Sequence, residues 1–147
     1  MRDTQSWGIA LLRIVTGIVF TVHGAQKLFV FGLAGVTGAF AQMGLPLPGL
    51  LAALAIVFEF VGGLALILGL GTRLAALPLA ATMAVATFAV HLSHGFFLPQ
   101  GFEYAFTLLG NSLALSLTGS GALSLDGLLA RRASAGAAGP VLVRKSA

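Results

Sequence analysis

Cysteine is absent from the 147-residue chain, so no disulfide, thiolate nucleophile or cysteine-held iron–sulfur cluster belongs to its intrinsic chemistry. Any redox work needs a bound group. Charge is nearly as scarce: eight Lys and Arg with four Asp and Glu make up 8% of the residues, against about 25% in an average soluble domain. Twelve charges cannot keep a molecule of this size in water, which excludes an ordinary soluble domain.

What fills the chain instead is apolar. Hydrophobic residues account for 58%, with eleven phenylalanines, and the mean hydropathy is +1.02. Twenty glycines do not signal disorder beside so many Phe, Leu and Val, because disordered chains are poor in such residues. The formal net charge of +4 is scattered, with Arg131, Arg132, Arg144 and Lys145 in the tail. No continuous basic face exists to track a phosphate backbone, so nucleic acid is not a predicted partner. The composition is that of one small integral membrane domain in contact with the lipid bilayer.

A spanning helix needs about 20 mostly apolar residues. Four such runs are predicted, at about 7–28, 50–70, 74–92 and 102–118, giving an all-α, four-transmembrane-helix bundle. The first run is read as a retained helix rather than a secretory signal, because Arg13 interrupts it and His23-Gly24-Ala25 lacks a small residue at the first cleavage-site position. Lys and Arg accumulate on the cytoplasmic side of short loops. With both termini inside, Arg2, Arg73, Arg131, Arg132, Arg144 and Lys145 are cytoplasmic and Lys27 lies on the other side. Phe96, Phe97, Phe102 and Tyr104 then form an outer aromatic belt, and Trp7 marks the inner one. Between the first two spans, Leu33, Val36, Phe40 and Met43 recur at helical spacing, which predicts a short amphipathic or re-entrant helix. Pro46 and Pro48 end it and launch the second span. Beyond Gly119, SLDGLLARR predicts a short interfacial helix. The expected organisation is a membrane domain over 1–130 and a flexible basic cytoplasmic tail over 131–147.

Ionisable groups in hydrocarbon cost several kcal/mol unless paired or wet, so each one asks for a reason. Arg13, His23, Glu59 and His91 fall within the spans; Lys27, His94 and Glu103 fall at their outer ends. Counting helical rise puts Glu59 about 7 Å from Arg13 in depth, close enough for an ion pair; Lys27 and the histidines are the other candidate partners of Glu59, and Arg13 snorkelling to the inner interface is the competing picture. His23 and His91 are predicted at one depth, and His91 and His94 share a face if the helix persists that far. A polar pocket lined by Phe and Met, beneath the outer surface, is the expectation. Four readings of it stand side by side: two histidines for haem, a metal held by His23, His91, His94 and Glu103, although the spacing matches no closed site, a quinone headgroup, and a polar cluster that only locks the helices together. His and Lys beside Phe suit a quinone, which needs donors for two carbonyl oxygens and an apolar lining. In that reading His23, Lys27, His91, His94 and Glu103 bind the quinone, Glu59 and Arg13 tune or relay its protons, and neither a metal nor a covalent cofactor is required.

The ordered segments HGAQK, FAQMGLPLPG, EFVGG with GLGTRLAA, HLSHGFF, GFEY and GSGALSLDG resemble the DoxX family over roughly residues 7–130. The resemblance implies a multi-pass protein of a prokaryotic inner membrane. Some members are similar to membrane subunits of thiosulfate:quinone oxidoreductase; others gather oxidative-stress enzymes such as superoxide dismutase and sulfurtransferase. The family's polar marks fall on His23, Lys27, Glu59, His91 and Glu103. A quinone-linked membrane subunit in redox, sulfur or oxidative-stress metabolism is thus one expectation. A non-catalytic scaffold that anchors a soluble redox enzyme is another, and a small transporter a third. A second membrane subunit or a homo-oligomer is compatible with each.

Overall fold

The computed structural model describes residues 2–137, and among them every regular element is helical. Helix α1 (Arg2–Ala25) runs from what we term the proximal end of the bundle into a π-helical turn, Gln26–Phe31, at the distal end. Gly32 adopts φ +66° and ψ 167°, a conformation that breaks the helix and that glycine adopts without strain. The chain turns there, and α2 (Gly32–Gln42) lies against α3 (Pro48–Val57). A second π turn, Phe58–Gly62, joins α3 to α4 (Gly63–Leu68), and the chain is again proximal. After a tight turn, α5 (Thr72–Val85) ascends through a third π turn, Ala86–His91, and a single 3-10 turn to His94. Helix α6 (Glu103–Thr118) descends, and α7 (Leu125–Ala137) closes the proximal end.

The amphipathic segment between the first two long helices is therefore a distinct helix. Val36 is buried with Ala52 and Ile56 of α3, and Phe40 packs on them, whereas Leu33 and Met43 are exposed. Pro48 starts α3 at a position where its missing N–H costs nothing. Three helical stretches are long and apolar enough to cross a membrane: Asp3–Gln42, Pro48–Leu68 and Thr72–His94. The expected fourth, α6, has 16 residues, about 24 Å of helix. The expected flexible tail begins as helix, since α7 carries Arg131 and Arg132 and extends to Ala137; residues 138–147, with Arg144 and Lys145, lie outside the described part.

Side-chain distribution is the inverse of a soluble protein's. On α1, Leu11, Val15, Ile18 and Val22 face outward while Arg13 and Thr16 are buried beside Ala10 and Phe20. Glu59, Thr87 and Ser112 are likewise inside, and Val57, Val61, Leu64 and Leu68 are outside. An exterior of Leu, Val and Ile with ionisable side chains inside suits lipid rather than water.

Packing of α1 on the second long helix is backbone to backbone. A Cβ on Gly24 would fall 2.4 Å from the Phe60 amide nitrogen, and one on Gly63 would fall 2.5 Å from that of Thr21. Small residues of this kind let transmembrane helices approach closely, and here they fix the register between the two helices. On the other side, Ala76, Ala80 and Leu79 of α5 join Leu108, Leu109 and Leu115 of α6 in the main core.

Candidate functional site

The register set by Gly24 against Phe60 decides which charges meet. It lifts Glu59 to the level of Gly24, about 16 Å along α1 from Arg13, more than twice the separation expected from the sequence. An Arg13–Glu59 pair does not form. Glu59 instead accepts from Lys27, with Nζ 2.5 Å from Oε2. The carboxylate is buried and the lysine side chain 21% exposed, so a low-dielectric surrounding strengthens the attraction that holds them.

Arg13 is fully buried but belongs to a different structure, at the proximal end. Its Nη1 donates to the carbonyls of Leu66 and Ile67 in the last turn of α4, where carbonyls run short of intrahelical donors; the Leu66 carbonyl also accepts from the Gly69 amide. Its Nη2 donates to the carbonyls of Leu123 (2.8 Å) and Ala122 (3.3 Å) in the segment preceding α7. A cation at a helix C-terminus is also favoured by the helix dipole. Gly69, at φ +66°, leaves room for this guanidinium, since a Cβ there would lie 2.5 Å from Nη1. Asp126 completes the arrangement by accepting from the Gly71 amide at 2.9 Å, which caps α5. The motif GSGALSLDG thus ties α7 and its approach to α1, α4 and α5.

The distal half holds a cavity of about 450 Å³. Phe20, Phe40, Met43, Phe58 and Met83 give it an apolar wall, and its polar groups are His23, Lys27, Glu59, His91, Tyr104 and Thr82. Lys27, Glu59 and His91 each lie within one of the three π-helical turns. A π turn inserts one residue into the helix and re-aims the side chains that follow, and such turns recur at functional sites. Three helices therefore leave α-helical geometry where each supplies an ionisable group to one cavity.

His91 Nδ1 lies 2.8 Å from the Gln100 carbonyl oxygen, the geometry of an Nδ1–H donor, which orients the ring. His23 Nε2 is 3.4 Å from the Tyr104 hydroxyl, with the two rings 6.0 Å apart, which links α1 to α6 at the cavity's outer end. Two polar wall residues lie outside the expected set: Thr82 of α5, and Tyr104, expected only in the aromatic belt, which lies one residue after the acidic start of α6.

Two of the expected members are elsewhere. Glu103 starts α6, where its Oε1 accepts from the Leu98 amide at 2.9 Å and fixes the 95–102 loop. His94 lies beyond the third π turn in the 3-10 turn, is exposed and does not line the cavity that His91 joins. Among the described residues no three His, Asp or Glu side chains gather in a way that would hold a metal.

Regular structure that is entirely helical among the described residues, an apolar exterior, three stretches long and apolar enough to cross a membrane, and buried ionisable groups define an integral membrane protein of the α-helical class. Its sequence matches the DoxX family profile over residues 8–92. The chain belongs to the DoxX family. It is 38% identical over 126 residues to the putative oxidoreductase CatD of Bacillus subtilis, covering 86% of this chain and 90% of that protein. It is 33% identical over 137 residues to the inner membrane protein YqjF of Escherichia coli, covering 90% and 99%. The uncharacterized membrane protein Rv3486 of Mycobacterium tuberculosis is 33% identical over 138 residues, covering 86% and 84%. No solved structure matches the chain.

Proposed function

We propose that the chain is a quinone-linked subunit of a prokaryotic inner-membrane redox system, with four spans, both ends cytoplasmic, and the distal cavity as the quinone headgroup site. The observation that carries this reading is the convergence of three π turns on a cavity whose wall is apolar except for Lys27, Glu59, His23, Tyr104, His91 and Thr82. The relative named as a putative oxidoreductase is in keeping with it.

The donor set fits. Lys27 spends one ammonium proton on Glu59 and has two left. Tyr104 and His91 provide further groups on the facing wall. When bound, a quinone supplies two-electron chemistry coupled to uptake of two protons. Glu59 orients Lys27 through their ion pair, and His91 is the imidazole placed in the cavity wall to pass a proton to or from a bound headgroup. The Phe and Met wall excludes water from these groups.

The test is quinone content and affinity. Detergent-purified protein should carry quinone in its organic extract, and His91→Ala should weaken quinone binding at least tenfold without lowering thermal stability to the same degree. Unchanged binding in that variant would remove His91 from the site; protein that neither carries nor binds quinone would refute the function.

A further inference from the structure

The cavity's side walls are not closed equally. Helix α1 packs on α4 and on the second π turn, α5 packs closely on α6, and α4 and that same π turn touch α5. Helix α3, by contrast, packs on α2 and makes no more than marginal contact with α5. Antiparallel neighbours along one length of chain are thus in contact near the proximal end and splayed near the distal one. Leu51 and Leu54 of α3 and Ala81 and Val85 of α5 line the cavity from either side of the gap, and Leu54, Ala81 and Val85 are also exposed on the bundle's outer surface. Pro78 lies one turn before Thr82 in α5, where its missing N–H interrupts the hydrogen-bond ladder. In a membrane protein that outer surface is lipid.

We infer that the cavity opens sideways into the bilayer between α3 and α5, and that this portal holds the long apolar tail of a ligand whose polar head sits among Lys27, Glu59 and His91. The inference rests on the headgroup site proposed above and adds how its ligand enters and which feature of the ligand is selected. Leu51, Leu54, Ala81 and Val85 are apolar, and the hydroxyl of Thr82 beside them donates to the Pro78 carbonyl, so the portal offers no charge to a water-borne molecule. The ionisable groups lining the cavity lie away from these four residues: Glu59 and His91 come from the π turns that follow α3 and α5, and His23 and Lys27 come from α1 and the π turn after it. An amphiphile with a flat polar head and an isoprenoid tail matches that sequence of surfaces; the head crosses the gap first and the tail remains in it.

Ala81 is the position at which to obstruct the gap, because its side chain is exposed and a larger one there displaces no core residue. The measurement is equilibrium binding of two quinones with one headgroup, one carrying a single isoprene unit and one carrying a long isoprenoid tail, to full-length protein in lipid nanodiscs. Ala81→Trp should weaken the long-tailed quinone at least tenfold and leave the short one within about twofold; Val85→Phe provides a second obstruction with the same expectation should Ala81→Trp express poorly. Equal effects on both quinones, or none on either, would overturn the portal while the headgroup site stands. Failure of the unaltered protein to bind either quinone would overturn the headgroup site, and the portal with it. Failure of both variants to fold would show that the gap is needed for packing and is not an opening.

Discussion

Glu59 and Lys27 illustrate how little a single charge means without its register. Removing one member of a buried ion pair leaves the other uncompensated, at a cost of about 3–5 kcal/mol in proteins where this has been measured, whereas replacing both with neutral groups is often tolerated. Lys27→Met should therefore lower the thermal unfolding midpoint in detergent sharply, and Lys27→Met combined with Glu59→Gln should recover much of the loss. A double variant no more stable than the single one would mean that the pair does not carry the stability assigned to it. Arg13 has a separate role. Its four carbonyl partners require the planar fork of a guanidinium, so Arg13→Lys should cost about 1–3 kcal/mol in unfolding while leaving quinone affinity unchanged. Reduced quinone affinity at unaltered stability would return Arg13 to the functional site.

At the scale of elements, the close approach of α1 to the second long helix controls both stability and site. Gly24→Ala places a Cβ 2.4 Å from backbone that cannot move independently, so the two helices must separate and Lys27 must withdraw from Glu59. Gly110→Ala, where a Cβ meets nothing within 4 Å, is the matched control. Cross-linking or thermal unfolding should show disruption in the first and none in the second. Asp126→Ala should free the first turn of α5 at about 1 kcal/mol, seen as faster amide exchange at Gly71 and Thr72 and in α7.

Helices α3, α5 and α6 were legible in the sequence because they fall in long apolar runs between clear punctuation, with Gly71 and Pro48 at the breaks, and the short distal helix because Leu33, Val36, Phe40 and Met43 recur at helical spacing. The site was legible in part, because ionisable residues in apolar runs are rare enough to single out. Pairing was not: depth counted from the estimated ends of two runs carries an error of several residues, and the contact that fixes depth, Gly24 on Phe60, has no signature of its own among twenty glycines. The π turns were equally invisible, since an inserted residue changes the aim of side chains but not the composition of the segment.

At the scale of the whole molecule, the apolar exterior and the α3–α5 gap describe a protein whose ligand reaches it through lipid. Absence of native cysteine makes the topology directly measurable. With four spans and both ends cytoplasmic, Gln100→Cys in the distal loop should react with an impermeant maleimide on intact cells, and Ser120→Cys at the proximal end only after permeabilisation. Labelling of both positions from the same side would mean that α6 does not cross.

The central claim is that the distal cavity receives a quinone headgroup, and the most direct measurement is photo-cross-linking of a long-tailed azidoquinone to the protein in nanodiscs, followed by peptide mapping. The account predicts label concentrated on segments 51–59 and 81–91, displaced by excess unmodified quinone and lost in Lys27→Met/Glu59→Gln. Label spread over the lipid-facing stripe of Leu11, Val15, Ile18 and Val22, unaffected by competitor, would contradict it.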